Sequence, residues 1–185
     1  ALMWFPTTAE SYGKPTQTVF TVDVVMQHAC SWVTINVKGD ATTGADGTTW
    51  KILDLTINDL AQEGDVILGK TAAWTPSTTT SAFNVFNGKK DLTTAYVDYT
   101  KLSYTDLILV PQETKTLTIT YQFVSQAGLD PIQEVKTIAL TYTNDEGWKP
   151  GVHYTYNITI GTQEILIEPT VKDWNTVPAT DVVLQ

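Results

Sequence analysis

Arginine is missing from this 185-residue chain; all eleven basic residues are lysines. Arginine supplies the planar, bidentate grip on carboxylate and phosphate, so its absence weighs against a tight anion clamp. It also leaves no cleavage site for an arginine-specific protease within these residues. Cysteine is nearly missing: Cys30 stands alone and excludes an internal disulfide. Histidine occurs only at His28 and His153. The formal net charge is -9, and the longest basic run is Lys89-Lys90. Binding to a phosphate backbone needs a clustered positive patch, so nucleic acid is not an expected partner. No window approaches the roughly 18 apolar residues of a membrane helix. No charged-then-apolar signal segment opens the chain, and no helical periodicity lasts three turns.

What the chain does have is threonine, valine, isoleucine and tyrosine in alternation, residues that suit a pleated, half-buried surface. Hydrophobic residues make up 42%, enough for a core. Lys115 to Val124 alternates most cleanly, with Leu117, Ile119, Tyr121 and Phe123 set against Thr116, Thr118, Thr120 and Gln122. Ser31 to Lys38 sets Val33, Ile35 and Val37 against Trp32, Thr34 and Asn36. Further strands are expected over Thr18 to Met26, Trp50 to Ile57, Asp65 to Leu68, Asp106 to Val110, Ile132 to Tyr142 and Gln163 to Val171. Shorter ones fit near Ala82 to Phe86, Tyr96 to Tyr99 and Asp181 to Leu184. Gly39 to Thr49, Asn58-Asp59 and Gly128 to Pro131 read as turns, and Lys70 to Lys90 as a long surface excursion. The segment after Trp148-Lys149-Pro150-Gly151 is plainly two-faced. Val152, Tyr154, Tyr156, Ile158 and Ile160 should point inward; His153, Thr155, Asn157 and Thr159 should point outward or into a shallow groove. About seven to ten strands at short spacing argue for an all-β, antiparallel sandwich. Residues 1–17 lack periodicity and carry two prolines; they read as a linker or sheet-edge segment, leaving 18–185 as the sandwich domain.

Chemistry is hard to place on this pattern. His28 and Cys30 lie two apart on an expected strand, but a nucleophile pair or metal site needs further groups. Isolated cysteines are usually buried, so core packing is the expected role. Glu164 and Glu168 are about 13 Å apart along one strand at ~3.3 Å per residue, beyond the ~5–9.5 Å of a glycosidase carboxyl pair. No G-x-S-x-G elbow, phosphate loop or H-E-x-x-H occurs. Asp40 and Asp46 do not have EF-hand spacing. Asn157-Ile158-Thr159 matches a glycosylation sequon, but inside a strand. No catalytic, cofactor-binding or metal-binding residue is assigned, and the chain is expected to be a non-enzyme without a cofactor. A second reading is a carbohydrate-binding surface module that stacks sugars on exposed rings among Trp50, Trp74, Trp148 and Trp174.

Several short landmarks occur in a telling order. Ala1-Leu2-Met3-Trp4 resembles a D-L-M-[YW]-A segment with alanine in place of the aspartate. Thr18 to Ala29 resembles a strand leading to an F-x-H-A motif that ends on His28-Ala29. Val33 to Lys38, Leu109-Val110-Pro111-Gln112, the Trp148-Lys149-Pro150-Gly151 turn with Tyr154-Thr155-Tyr156-Asn157-Ile158, and Asp173-Trp174-Asn175 follow. Together they resemble the fimbrillin family of Bacteroidetes (Mfa-like, type V pilus subunits) over nearly the whole chain. That resemblance implies a transthyretin-like Greek-key sandwich and a cell-surface, outer-membrane or fimbrial location, reached as an exported lipoprotein. It also implies a structural or adhesive subunit of fimbriae that assembles by strand exchange. Expected partners are other fimbrial subunits and host or bacterial surface ligands, with membrane attachment through an upstream lipid anchor. The chain corresponds to the C-terminal part of such a subunit, with an N-terminal domain expected upstream. In the family's shaft subunits a donor strand lies near the C-terminus. The matching candidates here are Asp181, Val182, Val183 and Leu184, which either insert into a neighbour or close their own sheet; Pro178 limits pairing just upstream.

If Tyr154 faces the core of a central strand, truncation to alanine should cost about 3 to 5 kcal/mol. Urea unfolding of Tyr154→Ala against the parent measures this.

Overall fold

The computed structural model describes residues 2–5, 21–22, 26–41, 43–44, 47–125, 128–142, 146–161, 165–174 and 182–183. Its strands are β1 (Met3–Trp4), β2 (Thr21–Val22), β3 (Gln27–His28), β4 (Ser31–Gly39), β5 (Thr49–Leu60), β6 (Gly64–Leu68), β7 (Ala72–Pro76), β8 (Ser81–Asp91), β9 (Val97–Asp98), β10 (Leu107–Leu109), β11 (Thr116–Val124), β12 (Ile132–Ala139), β13 (Val152–Ile160), β14 (Ile165–Asp173) and β15 (Val182–Val183). One short helix, α1 (Thr100–Ser103), lies between β9 and β10. The chain is all-β, as the alternation requires.

Two sheets make the sandwich. One has the order β10-β4-β13-β14, with β9 also on β4; the other is β12-β11-β5-β8. Because β9 and β10 both pair with β4 and only α1 separates them, they act as one interrupted edge strand. Counting them so, the first sheet holds the first, fourth, seventh and eighth sandwich strands, and the second holds the rest. This is the transthyretin-like Greek key. It departs from a purely antiparallel sheet in one place: β4 and β13 run parallel, Val33 opposite Tyr154 and Ile35 opposite Tyr156. Parallel partners need a long crossover, and here the entire second sheet serves as that crossover.

The inner faces form one core. Val33, Ile35 and Val37 of β4 meet Tyr154, Tyr156, Ile158 and Ile160 of β13, and across the gap Ile52, Leu55 and Ile57 of β5 and Leu117, Ile119 and Tyr121 of β11. Each buried aliphatic chain contributes about 1.5–3 kcal/mol. The predicted faces of β13 hold: the odd set is half-buried, and Tyr154, Tyr156, Ile158 and Ile160 are buried.

Three expectations change. Asn58-Asp59 does not end its strand; β5 continues to Leu60, with Asp59 at φ 52° where the pairing with β8 slips. The stretch 70–90 is ordered as β7 and β8, because β6 and β7 form a hairpin from Gly64↔Pro76 to Leu68↔Ala72. His28 and Cys30 are half-buried instead of lying in the core. Of the expected strand over 18–26, residues 18–20 and 23–25 lie outside the described residues, as do Glu164 and Asp46.

The turn before β13 plugs one end of the sandwich. Trp148 is buried, and its indole Nε1 donates to Tyr156 Oη at 2.9 Å, which in turn donates to Leu140 O at 2.9 Å. Lys149 N donates to Tyr154 Oη at 2.8 Å, and Tyr142 Oη donates to Gly147 O at 2.6 Å. The two tyrosines of the alternating strand therefore bury their rings and spend their hydroxyls holding the turn. Gly147 has φ +84°, and a Cβ there would lie 2.7 Å from Gln112 O. Gly147→Ala combines left-handed backbone strain with a backbone clash. It is expected to lower stability by about 1–3 kcal/mol, a loss that chemical denaturation would read directly.

Candidate functional site at the clasped end and the sheet edges

The plugged end gathers segments that are remote in sequence. Gln112 N donates to Trp148 O at 3.1 Å and Trp148 N returns a bond to Gln112 O at 2.6 Å. The Gln112 side chain, itself buried, accepts from Ala61 N at 3.0 Å and donates to Ala61 O at 2.9 Å. It thus mimics a strand residue and ties the end of β5 to the turn. Gly151 N donates to Cys30 O at 2.9 Å, Trp174 N donates to Gly151 O at 2.7 Å, and Ala29 N donates to Leu2 O at 2.9 Å. Hydrogen bonds thus link the chain start, the 28–30 bend, the 110–112 segment, the 147–151 turn and the end of β14 at this end of the sandwich.

An aromatic ladder covers the outer side of the clasp. The His28 ring stacks on Trp174 with centroids 3.6 Å apart, Trp32 lies 5.6 Å from Trp174, and Trp32 stacks on His153 at 3.8 Å. His153 Nε2 shares a 2.9 Å hydrogen bond with Thr34 Oγ1, and Asn36 Nδ2 donates to Asn157 Oδ1 at 2.8 Å. The sequon asparagine is therefore engaged across the parallel pair. On the other flank, Trp4 packs with Ala29, Ala72, Val66 and Trp74 beneath the β6–β7 hairpin. Trp4 Nε1 donates to Gly69 O at 3.1 Å and Trp74 Nε1 to Ala29 O at 2.5 Å. A cleft of about 670 Å³ opens between this hairpin and the plug, lined by Trp74, Pro76, Pro111 and Lys149 among others.

The candidate residues of the sequence fall as follows. Val182 and Val183 pair antiparallel with Val22 and Thr21; Asp181 and Leu184 lie outside the described residues. Trp4, Trp50 and Trp148 are buried, and Trp32, Trp74 and Trp174 are half-buried, so no tryptophan stands exposed as a sugar platform would require. Among the described residues, no three His, Cys, Asp or Glu side chains gather as a metal site. Glu168 accepts a bond from Tyr96 Oη at 3.4 Å. Sequence reasoning did not single out an ionic cluster that joins β11 and β12. Tyr121 Oη donates to Glu134 at 2.7 Å, and Lys136 lies 3.5 Å from the same carboxylate. The tyrosine bond, then the lysine, hold the Glu134 carboxyl below its ordinary range. Burial, then that bond, push the Tyr121 phenol up. Alternation hides such a pair, because Glu134 and Lys136 occupy places where apolar residues are expected.

Residues 2–174 match the family model described as fimbrillin-like. The chain belongs to the fimbrillin-like family. The structural likenesses of this fimbrillin-like chain agree on the fold. A fimbrial protein from Bacteroides vulgatus superposes with a TM-score of 0.58 at 15% identity, covering 81% of this chain and 56% of that one. A candidate cell adhesion protein from Bacteroides uniformis gives 0.51 at 21% identity, covering 83% of this chain and 54% of that one. The chain thus spans a little over half the length of these relatives. No curated protein matches it. The landmark motifs of the fimbrillin-like chain are the clasp itself: Leu2, Ala29, Gln112, Trp148, Gly151 and Trp174 supply its contacts.

The ladder makes the fold pH-sensitive. Burial holds both histidines of the fimbrillin-like chain below their ordinary value of 6.5. For His153, Asp98 and Asp106 oppose the shift, while Lys172 and Lys101 add to it. The unfolded chain therefore binds more protons just below neutrality, so stability is full above about pH 7 and is lost as pH falls through 6.5 toward the folded values. The melting temperature should drop between about pH 7.5 and 5.5, above the carboxylate range. His28→Gln/His153→Gln should flatten that slope, whatever its absolute stability.

Proposed function

We propose that this chain is a structural or adhesive subunit of cell-surface fimbriae that offers contact area in place of reactive groups and joins its neighbours by strand exchange. The observation that carries this reading is how the C-terminal segment is held. Among the described residues, Val182–Val183 pair with Thr21–Val22 in a two-stranded sheet that hydrogen-bonds to neither sandwich sheet. An isolated two-stranded pair is marginal in water, and both four-stranded layers keep their order without it. The segment can therefore close on its own chain in the monomer and leave at low cost. In a neighbour that lacks a strand it would satisfy unpaired backbone groups and fill an apolar groove. Such a contact is heterologous and repeats head to tail into an open filament. Family membership and the fimbrial and cell-adhesion descriptions of the structural relatives support the reading.

On this reading the chain is the C-terminal domain of a longer precursor. Other subunits are its first partners, surface ligands its targets, and an upstream lipid anchor its attachment to the outer membrane. The activating cleavage falls upstream, because no arginine occurs here. When the precursor is treated with an arginine-specific protease, SDS-resistant ladders should appear on gels. The same precursor ending at Trp174 should stay monomeric after equally clean cleavage. Ladders of unchanged length from the truncated form would rule out the tail as donor.

A further inference from the structure

A free strand edge offers unpaired N–H and C=O groups to any other strand, and the described edges differ in how they are protected. β9 and β10 are separated by α1, and neither exceeds three residues. β8 meets β5 through three register shifts, which bend its edge. β14 carries Pro169 at its middle, where no N–H is available. β12 has none of these devices. Its eight residues run in unbroken register with β11, it contains no proline, and Ile132 and Val135 are 51% and 58% exposed.

The side chains of β12 add a condition. Ile132, Glu134, Lys136 and Ile138 stand opposite Phe123, Tyr121, Ile119 and Leu117, so they share the core-side face. A charge on that face of an edge strand normally repels an incoming strand, because pairing would strip its water. Here two charges of opposite sign stand two places apart.

We propose that the free edge of β12 is a self-recognising interface that pairs antiparallel with β12 of a second copy of this chain, in the register centred on Val135. In that register Ile132 faces Ile138 of the second copy, Gln133 faces Thr137, Glu134 faces Lys136, and Val135 faces its own equivalent. Both charges are complemented and both isoleucines gain an apolar cross-strand neighbour. Centring on residue 134 or 136 sets like charges face to face. Centring on 133 or 137 sets Glu134 opposite Ile132 or Leu140. The core-side charges thus act as a register lock: they oppose foreign strands and admit this one.

The contact is isologous, so it closes at two copies and joins two four-stranded sheets into one of eight. It does not depend on strand exchange. In a head-to-tail filament it would tie two filaments side by side.

In a Cys30→Ala background, Val135→Cys should give disulfide-linked dimers under mild oxidation. Directly opposed Cα atoms lie ~4.5–5.5 Å apart, within disulfide reach. Gln133→Cys should not, because its equivalents are offset by four residues, about 13 Å. In sedimentation equilibrium, Lys136→Glu should weaken the dimer at least about tenfold. Adding Glu134→Lys should restore it, with a thermal melt showing that each variant folds. A chain that stays monomeric up to about 1 mM, a dimer indifferent to Lys136→Glu, or equal cross-linking at 133 and 135 would each overturn the proposal.

Discussion

The double hydrogen bond between Gln112 and Trp148 is the constraint on which the rest of this structure leans. It fixes where the 147–151 turn sits, and the turn fixes where β13 enters the sheet. Trp148 can then cover the core end while Tyr154 and Tyr156 reach the turn with their hydroxyls. Aromatic rings bring large buried area, and a buried hydroxyl needs a partner; here ring and hydroxyl needs are met by the same two residues. Gly147 makes the close approach possible, since only a residue without Cβ fits beside Gln112 O. Gly151 extends the same logic outward by bonding both Cys30 and Trp174.

Much of the sandwich was legible in the sequence, for a physical reason. β4, β11 and β13 lie between two neighbours and have one face in the core, so their apolar residues recur at every second place, although Thr34 is buried too. Harder to read were elements whose burial is not set by a single face. β6 exposes Ile67 while Val66 packs on Trp4, so its apolar run carries no usable period. β8 slips register three times against β5, which breaks a period of two. The parallel pairing of β4 with β13 leaves no local mark, because parallel and antiparallel neighbours need the same alternation. The landmark residues were visible as a family pattern. Their shared role was not, because the Gln112–Trp148, Gly151–Cys30 and Trp174–Gly151 hydrogen bonds join backbones whose closeness only the fold creates.

The surface divides into faces that are finished and edges that are not. The outer face of the first sheet closes on itself through ring stacking and the Thr34–His153 and Asn36–Asn157 bonds. On the second sheet, Asp54 is satisfied by Asn84 and Thr56, and Thr118 by Thr137 and Asn58. Groups already paired within a sheet have little to offer a ligand. Strand rims such as that of β12 keep backbone groups that no described neighbour pairs.

The parallel pair also dictates an order of events. β4 and β13 join residues such as Asn36 and Asn157, which are 121 positions apart. The central sheet cannot close until most of the polypeptide has emerged from whatever machinery makes or moves it. Pairing of such long range is slow, because the entropy of closing the loop is spent before any contact repays it. Until then β4 waits with one flank bare. The first sheet is thus the part of the fold whose completion waits on the last third of the sequence.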